Sequence, residues 1–286
     1  MQAIRSLLVV LDPGHAHGLA LARAKTIAVV TQAHLHLVMC DHHQDHSALL
    51  SLLKSQLHDE GFSASAEQAW EGNLEKTVIT VQQAEGCGLV IKQHLHDTAL
   101  KRFLLTPADW KLLRYCPCAV LMVKSERPWA GGVVLAAVDV GNTDDEHRSL
   151  HSSIIEFGVD IAQVATGQLH VIAAHPAPML LATDPTFQRT HTLQAHYRAQ
   201  CRAFQVQFGI DDTQLHIAEG PADVLIPYTA QMLDAVVTVM GTVARTGVAG
   251  ALIGNTAEVV LDTLESDVLV LKTDEIIAHL EDLARA

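Results

Sequence analysis

A chain of 286 residues with 49% hydrophobic and 18% charged side chains has enough apolar material for packed cores, which excludes disorder and coiled coil, and its length favours two domains. Its 19 Lys and Arg against 32 Asp and Glu leave a net charge of −13 with the 18 His neutral, and a field of that sign repels a phosphate backbone, which excludes general nucleic-acid binding. No apolar run reaches the roughly 18 to 20 residues of a membrane span, so no membrane span and a cytoplasmic location are expected.

In chain order, the apolar run from Ser6 to Leu11 ends at Asp12 and opens into a loop carrying Gly14, His15 and His17, the pattern of a strand entering a loop and a helix. Leu35 to Met39 reads as a second buried strand bearing His34 and His36, and His42, His43 and His46 as residues that cap or solvate the helix after it. Glu71-Gly72 precedes a helical pattern from Asn73 to Glu85, followed by strands at Leu89 to Ile91 and Val120 to Lys124. A connection from Ser125 to Gly132, too short for a free tether, leads to a second series. There Val133 to Val138 ends at Asp139, Leu169 to Ala173 follows, and Glu219-Gly220 precedes a helical pattern from Ala222 to Leu233. Strands at Ala235 to Val239 and Val268 to Lys272 complete it. The five cysteines are odd in number and lack Cys-x-x-Cys spacing, so they read as buried thiols, the Cys116-Pro117-Cys118 pair included.

The two series are copies of one unit. Asp12 and Asp139 are 127 residues apart, His36 and His170 are 134 apart, and Glu71 and Glu219 are 148 apart. The rising offset implies insertions in the second copy, the larger between His175 and His191, where Pro176, Pro178 and Pro185 mark an irregular excursion. Strands separated by crossover helices predict an α/β fold. The expected form is two tandem five-stranded parallel-sheet domains, 1–125 and 132–274, packed as a pseudo-dimer about a twofold axis, with no single continuous sheet. Residues 275–286 are predicted to form a helix that docks Ile276, Ile277, Leu280 and Leu283 on the body.

Ligands of such sheets bind beyond the carboxyl ends of the strands, which makes Asp12 and Asp139 candidate contacts or, alternatively, turn formers. After the fourth strand of the second copy run Gly241-Thr242-Val243-Ala244-Arg245 and then Gly254-Asn255-Thr256. Glycines there let backbone N–H groups reach phosphate, and a helix N-terminus attracts anions. The bland alternative is a loop whose glycines only turn and whose Asn255 or Thr256 caps a helix.

This layout resembles the universal stress protein family, whose nucleotide-binding members carry Gly-x-x-Gly, nine residues, then Gly-Ser/Thr after the fourth strand. Gly241, Ala244 and Gly254-Asn255 keep that spacing, with Ala244 in place of the second glycine and Asn255 in place of the hydroxyl residue. The first copy has Gln93, His96 and Thr106-Pro107 at the matching positions, with no glycine. His94-Leu95-His96-Asp97, Thr106 to Trp110 and Cys116-Pro117 extend the similarity to the tandem, two-domain E-type members. The resemblance covers residues 3–272. It implies domains of the adenine-nucleotide α-hydrolase-like kind and a stress-response protein acting by ligand binding and regulation. It also implies a degenerate, weak site for ATP or another adenine nucleotide in the second domain, built by Asp139, Gly241, Ala244, Gly254, Asn255 and Thr256, and a first domain without a triphosphate site.

Two alternative functions are carried from the residues. The apolar side chains near Phe103, Leu104, Leu105 and Trp110 could line a pocket for an apolar or lipid-like ligand in the first domain, or form an ordinary core. A nucleotide-hydrolysing enzyme is the other, since similar sheets host that chemistry. His94 and His96, two imidazoles on one side of an extended segment with Asp97 beside them, are the candidate zinc ligands, and His15 and His17 face the same crevice.

Overall fold

A computed structural model describes residues 4–95, 105–142, 144–177, 190–242 and 255–285. In the first half, strands β1 (Ser6–Leu11), β2 (His34–Cys40), β3 (Ala64–Ala69), β4 (Leu89–Gln93) and β5 (Ala119–Val123) alternate with helices α1 (Leu19–Thr31), α2 (Ser47–Asp59), α3 (Leu74–Ala84) and α4 (Pro107–Tyr115). The second half repeats the series as β6 (Val133–Ala137), α5 (Asp145–Val164), β7 (Gln168–His175), α6 (Thr190–Phe208), β8 (Leu215–Glu219), α7 (Ala222–Met232), β9 (Ala235–Thr242), α8 (Asn255–Thr263) and β10 (Asp267–Lys272), followed by α9 (Asp274–Arg285). Helices α3, α4 and α5 begin where side chains satisfy their first N–H groups. Asn73 accepts from Lys76 N ahead of α3, Asp144 from His147 N ahead of α5, and Thr106 with Asp109 forms a reciprocal capping box at α4, with Pro107 in its first turn. The paired glycines Gly72 and Gly220 have φ of 91° and 140°, a conformation open to glycine where each third strand turns into the next helix.

All ten strands form one sheet of order β3-β2-β1-β4-β5-β10-β9-β6-β7-β8. Within each half the strands are parallel, as expected, but the expected separation into two sheets does not occur: β5 and β10 pair antiparallel and join the halves edge to edge. The cause lies in the backbone. Each half alone would leave its fifth strand with a row of unpaired N–H and C=O groups beside wholly buried side chains, and the other half's fifth strand pairs with them. Leu121 lies opposite Leu269, flanked by Met122 opposite Val268 and Val120 opposite Val270. Leu121 and Leu269 are equivalent positions of the repeat, 148 residues apart, so a local twofold axis runs through that pair.

Two hydrophobic cores cover the two faces of the sheet and each is continuous through both halves. One joins Val9, Leu37, Leu121, Ala136, Val239 and Leu269 to α1, α2, α5 and α6; the other joins Leu8, Val38, Val120, Leu135 and Val270 to α3, α4, α7 and α8. Polar contacts lock the junction. The buried Asp267 carboxylate accepts from Arg23 Nε at 2.9 Å, Trp129 Nε1 at 2.8 Å and the backbone N–H groups of Lys124 and Ser125 at 2.8 and 2.9 Å. Lys124 Nζ donates to Leu261 O at 2.7 Å, and Arg114 pairs with Glu258 between α4 and α8. In α9, Ile276 and Leu280 are buried and Ile277 is half-buried. All five cysteines are free thiols, with Cys116 and Cys118 Sγ 3.6 Å apart. Among the described residues, no helix is long and apolar enough to cross a membrane.

Candidate functional site

The strand order reverses between β1 and β4 and again between β6 and β9, so a crevice opens beyond the carboxyl end of each pair. The two crevices differ about tenfold in size. The second-half cavity has a volume of about 920 Å³, within the range of roughly 300–1,000 Å³ usual for small-molecule sites. Its first-half counterpart has about 90 Å³.

Asp139 stands at the mouth of the large cleft, two residues beyond β6, and Gly241 and Thr242 reach it from the end of β9. The α5 side supplies Leu150, His151 and Ile154, α6 supplies Tyr197, and Ala257 and Val260 line it from α8. Burial pushes His151 down to about 4, against the opposing pull of the Asp139 carboxylate, so its imidazole is neutral at pH 7. Burial and the same carboxylate raise the Tyr197 phenol, which stays protonated. His151 and Tyr197 therefore face the Asp139 carboxylate as uncharged groups. Gly241 also has a packing role that its spacing did not reveal: a Cβ there would lie 2.6 Å from Leu150 Cδ2 and 3.0 Å from Ile154 Cδ1. Asn255 opens α8, and Thr256 follows it. Ala244 and Gly254 lie outside the described residues, as does the loop between them.

The first-half crevice is filled by its own side chains. Gln93, the residue at the position of Gly241, places Oε1 2.8 Å from Leu19 N, so a neutral side chain satisfies the N-terminus of α1. Asp12 accepts from Gly14 N at 2.9 Å and contacts His15 Nδ1 at 3.1 Å, the geometry of a turn former. His94 is engaged as well. Its Nδ1 lies 2.9 Å from Asp109 Oδ2, Lys92 Nζ donates to Asp109 Oδ1 at 2.7 Å, and Thr106 N donates to Asp109 Oδ2 at 3.0 Å. Burial alone would raise the Asp109 carboxyl, but the His94 hydrogen bond and the Lys92 ammonium outweigh it and hold the carboxyl well below the usual carboxylate range. His96 and Asp97 lie outside the described residues, and the zinc reading at His94 and His96 gains no support: the His94 ring serves a buried ion pair at the start of α4. The apolar-carrier reading fares no better here. Leu105 and Trp110 belong to a hydrophobic core, Phe103 and Leu104 lie outside the described residues, and the described cavity is far too small for a lipid chain.

Residues 134–272 match the family model described as Universal stress protein family. Universal stress protein E of Escherichia coli (strain K12) is 34% identical over 223 residues, covering 75% of this chain and 70% of its own. The chain belongs to the universal stress protein family. The Universal stress protein E homolog of Haemophilus influenzae is 29% identical over 303 residues, 94% of this chain and 97% of its own, so the likeness to E-type stress proteins spans both halves. The crystal structure of a candidate universal stress protein from Pseudomonas aeruginosa UCBPP-PA14 is 62% identical, covers 100% of this chain and 99% of its own, and superposes with a TM-score of 0.91. At 15% identity, a universal stress protein from Archaeoglobus fulgidus DSM 4304 shares the fold with a TM-score of 0.68. Stress response follows as the family's general role. The residues of this stress protein that sequence reasoning missed are His151 and Tyr197: they sit on helices whose pattern gives only an amphipathic face, and their place in the cleft depends on how α5 and α6 pack.

Proposed function

We propose that this stress protein acts in the cytoplasm by binding an adenine nucleotide weakly in the second-half cleft, as a regulatory module and not as a catalyst. The observation that carries the reading is the contrast between a cleft of about 920 Å³ and a crevice of about 90 Å³ at equivalent places in one repeated fold. Asp139 takes the adenosine side, where a carboxylate can accept from ribose hydroxyls. The phosphates lie at the other end, against the backbone of Gly241 and Gly254 and the first turn of α8 with Asn255 and Thr256, where partial positive charge favours an anion. Ala244 adds a methyl group where the phosphate loop needs bare backbone, and the −13 net charge opposes an anionic ligand, so the affinity is low.

Calorimetric titration with ATP tests this on the full chain and on Ala244→Gly, Gly254→Val and Asp12→Ala. Restoring the glycine tightens binding, the valine removes it, and the first-half aspartate leaves it unchanged. Undiminished binding in Gly254→Val, or none even in Ala244→Gly, overturns the site.

A further inference from the structure

A second cluster lies away from both crevices, near the start of the β2–β3 strand pair. His34 and His36 alternate on β2 and so share one face of the sheet, and Ser65 and Glu67 lie beside them on β3. Ser65 Oγ is 2.6 Å from His34 Nε2 and 2.7 Å from His36 Nδ1, and His36 Nε2 is 2.9 Å from Glu67 Oε1. Glu85, the C-cap residue just after α3, brings Oε2 to 3.6 Å from His36 Nδ1. The His36 side chain is 4% exposed, whereas Glu67 and Glu85 are 42% and 44% exposed, so a buried imidazole floors a cup whose carboxylate rim meets solvent.

One assignment of tautomers satisfies the strand-to-strand contacts in sequence: His34 Nε2–H donates to Ser65, Ser65 to His36 Nδ1, and His36 Nε2–H to Glu67, while Ser63 donates to His34 Nδ1. That arrangement leaves the Glu85 carboxylate facing a nitrogen lone pair. One ligating atom each from His36, Glu67 and Glu85 lie within 4.8 Å of one another, a spacing one cation can span. We propose that His36, Glu67 and Glu85 form a binding site for a divalent first-row transition cation of the zinc class. Imidazole nitrogen with carboxylate oxygen is a donor set such ions accept. With the cation on His36 Nε2, the nitrogen that Glu67 faces, Nδ1 keeps Ser65 as its orienting partner, as metal-bound imidazoles require. The repeat supplies an internal comparison. At the equivalent place in the second half, His170 Nδ1 meets His216 Nε2 at 2.9 Å, and Leu233 stands where Glu85 does, so the carboxylates are gone. The site belongs to the first half, the half that has closed its crevice.

The test uses the full chain stripped of metal by a chelator, titrated with Zn²⁺ by calorimetry and with Co²⁺ by visible absorption. Wild type is expected to show one saturable site with the intense ligand-field bands of a low-coordinate Co²⁺ centre. Glu67→Gln and Glu85→Gln should each weaken Zn²⁺ binding about tenfold or more, the double variant should lose the Co²⁺ bands, and His15→Ala should change nothing. Both glutamates are partly exposed, so the double variant is expected to keep the wild-type melting temperature and to decide the matter even if His36→Ala does not fold. Absence of a saturable site in wild type, or equal affinity in the double variant, overturns the proposal and leaves the cluster as a hydrogen-bonded brace between β2, β3 and the end of α3.

Discussion

The Asp267 carboxylate is fully buried and accepts four hydrogen bonds, three of them from first-half residues outside any strand of its own half, so it ties α1, the inter-half connection and β10 together. Removing it strands the Arg23 guanidinium, 9% exposed, without its counter-charge. Asp267→Ala is therefore expected to cost about 3–5 kcal/mol in urea denaturation, the range for breaking a buried pair from one side. Titration of buried groups sets the acid limit of the fold. His151 has its proton affinity lowered from 6.5 to about 4, so the unfolded chain takes up a proton that the folded one refuses. That contribution is complete above pH 6.5 and is lost as pH falls towards 4. The Asp109 carboxyl is also held low, so its share persists to lower pH and disappears only below the ordinary carboxylate range, as protonation removes the partner of Lys92 and His94. Melting curves from pH 7 to 4 should therefore fall in wild type and flatten in His151→Leu. Equal slopes in the two would show that His151 does not carry the effect.

Elements differ in how openly the sequence announces them. The central strands were legible because both faces are buried and the chain writes them as unbroken apolar runs, such as residues 6–11 and 133–138. β3 was not, since ASAEQA is an edge strand with five half-buried positions, and no apolar run is needed there. Pairing of β5 with β10 was illegible for another reason: edge joining is made by backbone groups that every residue carries, and side-chain pattern does not record which edge meets which. A signal did exist in Asp267, which replaces the Ala119 of the first copy at the mouth of an apolar strand and makes sense only with donors waiting across the junction. Of the candidate site, the place of Asp139 and Gly241 was legible from the repeat, whereas the plugging of the first crevice by Gln93 required the three-dimensional approach of β4 to α1. Helix α9 gives the element-scale prediction. Leu280 is 2% exposed, and Leu280→Ala is expected to lower stability by about 2 kcal/mol or more, read as a shift of the denaturant midpoint with an unchanged slope. No shift would mean that the buried face contributes no packing.

The whole molecule behaves as a dimer written into one chain. A fragment of residues 132–286 would leave β10 as an open edge with the apolar run Val268 to Leu271 at its centre, the arrangement that strands otherwise avoid. Expressed alone, it is expected to run as a dimer, or to precipitate, in sedimentation at concentrations where the full chain stays a single species. The twofold pairing at Leu269 supplies the geometry for two such fragments to close on each other. A well-behaved monomer would show that the junction is dispensable.

Fusion has one more consequence, which follows from the unequal crevices on either side of the Leu121–Leu269 axis. An assembly of identical subunits presents sites in equal numbers, and their occupancy can be coupled. Among the described residues the architecture of a pair offers one roomy cleft beside a closed crevice, so on the proposed function nucleotide uptake should saturate at one equivalent per chain along a plain hyperbola, with a Hill coefficient of about one. On that proposal the protein would report ligand concentration in graded proportion, as a gauge does, and would not convert a small change in that concentration into a sharp threshold.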